Sequence, residues 1–293
     1  MFYRRKVMLG LIEAFDGKLK RTDCQKLLFV FSQVTQRNYY DFFPHHYGCY
    51  SIVASYDKEC LAQQGFLRAV EDYQLSTRQS FLSEIRADDR SVINFMAHDM
   101  RGVKGKALIR KIYLEYPHFA RRSLIVSDVL DSVEAKQMKL WWITDSSPCL
   151  FTIGYEGLTI DSFLNALISN NVSAVVDVRN NPVSMKYGFS KTSLERYVNS
   201  VDIAYYHFPD LGIPSALRQG LSTPESYKRL FARYAKEMLP KQRQGLQAIQ
   251  DLQAKHERIA LMCFESDPLS CHRHKITEYL SQSPSFAIRI VHL

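Results

Sequence analysis

Residues 259–279 read IALMCFESDPLSCHRHKITEY. Residues 259–264 are a short apolar run suited to a buried strand. Ser266-Asp267-Pro268 break it, and a helical pattern restarts at Ser270 and Cys271. Strand, short turn and helix start make up the usual site geometry of an open α/β sheet, where ligands sit outside the carboxyl ends of the strands. The turn is chemically dense. Cys263 and Glu265 stand at the strand end, and Cys271, His272 and Arg273 fall on the expected first helical turn. Backbone N–H groups at a helix start lack partners and the dipole's positive end points there, so a bound anion or a thiolate is expected to be stabilised. Each residue alone has an ordinary reading: a cysteine in an apolar strand is most often a small core residue, and His272 and Arg273 suit a plain helix surface. Five such side chains within eleven residues argue together for a site.

Upstream of this stretch the chain alternates strand and helix. Strands are expected at 150–154, 172–178, 203–208 and 287–292, and helices at 159–170, 192–200, 224–238, 242–255 and 271–281. Thr159 suits an N-cap. The near-continuous apolar run 172–178 suits a parallel strand covered on both faces. The fold class is therefore α/β, with a Rossmann-like, mostly parallel sheet over 149–293. Polar residues collect where the strands end: Gly154-Tyr155-Glu156-Gly157, then Asp177-Val178-Arg179-Asn180-Asn181-Pro182, then His207-Phe208-Pro209-Asp210. Strand ends on one edge share a crevice. One composite pocket is expected there, with Tyr155, Asp177, Arg179, Asn180, Glu265, Cys271, His272 and Arg273.

Three stretches carry a specific resemblance: Thr152-Ile153-Gly154-Tyr155-Glu156-Gly157, Asp177-Val178-Arg179-Asn180-Asn181-Pro182, and Cys263-Phe264-Glu265 followed by Cys271-His272-Arg273. Their order and spacing resemble the domain of unknown function 488 family from about residue 151 to the last residue. The resemblance implies a Rossmann-like domain whose motif residues converge on one site, and supplies no reaction.

In the expected pocket, Arg179 and Arg273 suit a phosphate or carboxylate, because a guanidinium offers a planar fork of donors. Tyr155 and Asn180 would complete the substrate contacts. Asp177 and Glu265 suit general acid/base work, or they hold those arginines in ion pairs. Cys271 suits a thiolate nucleophile with His272 as proton partner, although adjacent helical residues point about 100° apart. Cys263, Cys271, His272 and His274 are zinc-type ligands, but no Cys-x-x-Cys pair is present and no metal is expected. Without a Gly-x-Gly-x-x-Gly or a P-loop, no nucleotide cofactor is expected either.

The first half reads differently. Helices are expected at 5–15, with Met8, Leu11, Ile12 and Phe15 on one face, and at 23–34, burying Leu27, Val30, Phe31 and Val34. The aromatic turn 39–48 precedes a third helix at 51–64, and Gly65-Phe66-Leu67 closes it. This order suits a helical, winged helix-turn-helix-like domain. Lys26-Leu27-Leu28-Phe29, Tyr47-Gly48 and Gly65-Phe66-Leu67 loosely resemble the Panacea antitoxin-type domain, which implies binding to DNA or a protein and no catalysis. Taken together, the two resemblances imply a setting in phage defence or DNA modification. The aromatic cluster suits either core packing or base stacking. Further helices are expected at 82–97 and 104–115, the second basic, through Lys104, Lys106, Arg110 and Lys111. Trp141-Trp142 is expected at the domain junction, and Asp145-Ser146-Ser147-Pro148 as the linker between domains 1–147 and 149–293.

The whole chain has 293 residues and a formal net charge of +8. That favours an anionic partner: nucleic acid first, DNA over RNA, then an acidic small molecule. Six scattered cysteines show no paired framework, and neither a secretory signal nor an apolar run of membrane-spanning length is apparent. A cytoplasmic protein without membrane contact is expected; a protein partner and a homodimer are left open. Three functions follow. The first is an enzyme acting on nucleic acid or a nucleotide, with Asp177, Glu265, Cys271 and His272 as its catalytic groups. The second is a non-catalytic DNA-binding regulator whose α/β domain senses a ligand. The third is a thiol or zinc enzyme acting on a small anionic substrate.

Overall fold

The structure, a computed structural model, describes residues 1–293 apart from 69, 143, 144, 222, 284 and 285. The chain divides into two compact units, Met1–Trp142 and Ile143–Leu293. Asp145-Ser146-Ser147-Pro148 lies at the start of the second.

The first unit is helical with two small antiparallel strand pairs. Helices Tyr3–Ala14 and Arg21–Thr35 are followed by the hairpin Phe43–His45/Gly48–Tyr50 and then helix Ile52–Gln63. Lys18–Leu19 pairs with Tyr73–Gln74. Helices Ala87–Asp99, Lys106–Glu115, Val126–Val129 and Ser132–Lys139 complete the unit. Its core gathers Met8, Leu11, Leu27, Phe29, Phe31, Ile93 and Ile112, the apolar faces of four of these helices. The second helix buries Leu27, Leu28 and Phe31 and leaves Val34, at its last turn, exposed, which corrects the expected stripe. Trp142 donates to Pro117 O at 2.9 Å, while Trp141 lies exposed.

The second unit is a parallel α/β sheet. In chain order its elements are β1 (Cys149–Gly154), α1 (Ile160–Ser169), β2 (Ala174–Asp177), α2 (Lys191–Asn199), β3 (Ala204–His207), α3 (Pro224–Arg233), α4 (Arg243–His256), β4 (Arg258–Cys263), α5 (Arg273–Ser281) and β5 (Arg289–His292). The strands lie in the order β3-β2-β4-β1-β5, all parallel. The two strands with the strongest apolar runs, β1 and β4, are interior and buried throughout; β3 is a half-buried edge. Thr159 caps α1 by accepting from Ser162 N at 3.1 Å. The helix expected at 224–238 ends at Arg233 and continues as one wider turn over Tyr234–Met238, where Tyr234 donates to Leu211 O at 2.6 Å. Among the described residues no helix is long and apolar enough to cross a membrane.

Register decides what meets at the sheet's carboxyl edge. Gly154 pairs with Cys263, Asp177 with Met262, and Asp177 with His207. Four strand ends therefore finish level, and the four polar loops that follow them converge.

Candidate active site

Two glycines let those loops close. A Cβ on Gly154 would sit 1.7 Å from Glu265 O, and one on Gly212 would sit 2.1 Å from Asn180 N. Both neighbours are backbone, so neither position tolerates a side chain in this arrangement. The loop after β4 thus lies on the end of β1, and the loop after β3 lies on the loop after β2.

Two buried arginines hold these loops in place. Arg179 donates through Nε to Asp177 Oδ1 at 2.9 Å, through Nη2 to Asp177 Oδ2 at 2.6 Å, and through Nη1 to Tyr155 Oη and Phe189 O. Asp177, fully buried, also accepts from Tyr205 Oη at 2.7 Å. Burial pulls the Arg179 pKa down, but the Asp177 carboxylate outweighs it and the net shift is upward. Arg273, also fully buried, donates through Nη1 to Glu265 O, through Nη2 to Ser266 O at 2.8 Å and through Nε to Thr152 Oγ1. Both expected anion-binding arginines are thus engaged inside the protein, and Asp177 is the counter-ion of one. Tyr155 is 3 % exposed, stacked on Phe189 with ring centroids 4.3 Å apart and edge-on to Phe264. Asn180 is part-exposed and donates to Pro209 O at 3.1 Å.

The turn after β4 differs from expectation. Asp267 accepts from Leu269 N and Ser270 Oγ, closing a short 3₁₀ turn over Pro268–Ser270. Cys271 is then extended, with φ −133° and ψ 145°, and His272 is the N-cap of α5. Cys271 therefore lies ahead of the helix rather than on its first turn. Burial, reinforced by Cys263, pushes its thiol well above the usual cysteine value, against the stabilised thiolate expected there. Desolvation outweighs the opposing effect of His272.

This turn brings Cys263, Cys271 and His272 together. Their sulfur atoms and a ring nitrogen of His272 all lie within 4.8 Å of one another. His274 turns elsewhere, its Nδ1 reaching Cys271 O. Glu265 accepts from Cys263 Sγ at 3.4 Å and pairs with Arg218 at 3.5 Å. Burial pulls the Glu265 pKa up, but hydrogen bonds from Cys271, its own backbone and Cys263, with the Arg218 charge, bring it below the ordinary value. Unlike Arg179 and Arg273, Arg218 is part-exposed, with long contacts only, to Glu265 and to His272 Nδ1 at 3.4 Å.

A cavity of about 310 Å³ opens over this group. Tyr155, Asn180, Asn181, Ser184, Ser215, Arg218, Cys263 and Phe264 contribute to its lining. A neighbouring cavity of about 650 Å³ is lined by Glu265, Glu156, Tyr227 and Lys228 among others, and Phe264 belongs to both walls. Arg218, Ser184 and Ser215 were not expected: Ser184 sits in an irregular loop and Ser215 and Arg218 on one short 3₁₀ turn, where no periodicity marks them, while Asn181 stands in the sequence only within the motif that follows β2. Cys263 has both readings in the sequence, a core residue and a zinc-type ligand; the structure buries it and places it beside Cys271 and His272. In the first unit a separate cavity of about 420 Å³ is lined by Arg21, Lys26, His45, Tyr50 and others, where His45 stacks on Tyr50 and Lys26 donates to Cys49 O at 2.7 Å.

Residues 159–280 match the family described as domain of unknown function DUF488. The match lies wholly in the second unit and takes in Asp177–Pro182 and Cys263–Arg273, while the Thr152–Gly157 stretch precedes it. Searches of curated proteins and of solved structures returned no match.

Proposed function

We propose that the second unit is the catalytic part of an enzyme acting on a nucleotide or on nucleic acid. The observation that carries this reading is the cavity at the sheet's carboxyl edge. Its lining combines an aromatic wall (Tyr155 and Phe264), amide and hydroxyl groups (Asn180, Asn181, Ser184 and Ser215) and one accessible guanidinium (Arg218). An aromatic face suits a base, polar groups suit its edge, and a guanidinium suits a phosphate. Glu265, kept ionised beside Arg218, is the acid/base group; Asp177, Arg179 and Arg273 position the loops that carry the others. The first unit docks the polymer or a protein partner, in a helix-turn-helix-like manner suggested by its order of helix, helix, hairpin, helix. The chain's basic balance supports an anionic polymer.

The test is binding of labelled duplex DNA, single-stranded DNA and RNA by the full chain across a salt series, followed by analysis of the recovered strands for cleavage or modification. Salt-sensitive binding with an altered product that Glu265→Gln no longer makes is the expected result. Binding without any altered product, unchanged by Glu265→Gln and Arg218→Ala, would leave the DNA-binding regulator as the correct function.

A further inference from the structure

The ring of His272 has one nitrogen in a short hydrogen bond. Nε2 lies 3.0 Å from Val178 O. A carbonyl only accepts, so Nε2 carries the hydrogen, and in the neutral ring the Nδ1 lone pair faces the other way. It faces two sulfurs: Cys263 Sγ at 3.8 Å and Cys271 Sγ at 3.9 Å. A backbone carbonyl on one imidazole nitrogen and a lone pair on the other, here met only by the long 3.4 Å approach of Arg218, is the arrangement by which metal-ligating histidines are oriented.

The spacing also fits. Zinc bonds of about 2.3 Å to sulfur and about 2.0–2.1 Å to nitrogen, at tetrahedral angles, set sulfur–nitrogen edges of about 3.6 Å. The two edges found are within a few tenths of an ångström of that. The three residues come from the end of β4, the extended residue before α5 and the N-cap of α5, all in the sheet's interior edge. All three are at most 1 % exposed.

We infer that Cys263, Cys271 and His272 bind one zinc ion, or a comparably thiophilic divalent cation, with the fourth coordination position open. Two thiolates balance the charge of the dication, and Glu265 remains balanced by Arg218. The three-ligand set with two sulfurs and one nitrogen belongs to the class that keeps a water or substrate in the fourth position. Cys263 also lines the 310 Å³ cavity, which places the ion at its inner wall. Glu265, beside Cys263, is placed to hold a proton of a water bound there. The contacts an incoming ion replaces are long ones: Arg218 to Nδ1 at 3.4 Å, Cys263 Sγ to Glu265 at 3.4 Å and the two sulfur–Nδ1 approaches, and the two thiol protons leave to solvent. The site deepens the enzymatic reading without depending on it, because its test needs no substrate.

The test titrates the reduced full chain with cobalt(II), read by the thiolate-to-cobalt charge-transfer band and by metal content after desalting. One equivalent per chain is expected, displaced by zinc. The band should disappear in Cys263→Ser and in Cys271→Ser and persist in Cys60→Ser. A second measurement covers variants that fail to fold: alkylation of the wild-type chain with and without zinc, mapped by mass. Zinc should shield the peptide that holds Cys263 and Cys271. A reduced wild-type chain without a stoichiometric band, a band that survives both cysteine changes, or zinc that shields neither thiol would overturn the site. A Cys263–Cys271 disulfide that binds no metal after reduction would do so as well. A metal site without any nucleic-acid activity would remove the proposed function and leave the centre standing.

Discussion

Two groups of side chains meet at the carboxyl edge of the same sheet and differ in what they leave available. Asp177, Arg179 and Arg273 are buried, and their charged groups bond to one another, to tyrosines and to backbone carbonyls. Cys263, Cys271, His272, Glu265 and Arg218 stand within a few ångströms of each other on long contacts, at 3.4–3.9 Å. The first group resembles a keystone and the second a set of ligands. Charge alone does not tell them apart; the number and length of the bonds already made does.

Breaking the first group should have the largest effect on stability. Asp177→Ala leaves Arg179 buried without its counter-ion, and a loss of about 3–5 kcal/mol is expected. Urea unfolding followed by a probe in the second unit measures it; a loss under about 1 kcal/mol, the range of an exposed pair, would mean that the pair is not a keystone.

Gly154→Ala comes next. Its Cβ meets the Glu265 carbonyl, so the loop after β4 must shift, at about 1–3 kcal/mol. The shift moves Glu265 with it. A thermally stable Gly154→Ala chain with unaltered cobalt binding would show that the loop is not held against β1.

The contrast was half legible in the sequence. The strand-helix alternation and the level strand ends follow from apolar runs and the residues that interrupt them, which is local information. So does Thr159 as a cap. The Asp177–Arg179 ion pair was one of the two readings the sequence offered, and it is local; what was not local is the rest of the buried network, because Tyr205 and Phe189 stand ten and more residues away on other elements. Arg218 ends a 3₁₀ turn, Ser215–Arg218, too short to carry a pattern, and only the fold brings it to Glu265. Cys271 misled because a helix start was expected two residues too early; Asp267 closes a separate turn instead. In the first unit, helix positions followed the periodicity, while the exposure of Val34 depended on what packs beyond the helix end.

Changing the part-exposed member of the second group should scarcely touch stability. Arg218→Ala removes one part-exposed ion pair, expected to contribute at most about 1 kcal/mol. A larger loss by the same unfolding measurement would place Arg218 with the keystone.

A separate effect lies outside the site. Burial, then the neighbouring His46, Lys26, Arg122 and Arg21 charges, push the His45 pKa from 6.5 down to about 4. The unfolded chain therefore takes up this proton first. The first unit should lose stability as pH falls from about 6.5 towards 4, and His45→Gln should flatten that slope in urea midpoints taken across the range.

The most direct measurement is the thermal unfolding midpoint with and without a nucleoside monophosphate, for the wild-type chain, Asp177→Asn and Arg218→Ala. A ligand that binds the folded state raises the midpoint. The wild-type chain should show such a rise. Asp177→Asn should start lower and keep the rise, and Arg218→Ala should start near the wild-type value and lose it. A rise that survives Arg218→Ala, or no rise in the wild-type chain, would contradict the division between side chains that hold the loops and side chains that meet a ligand.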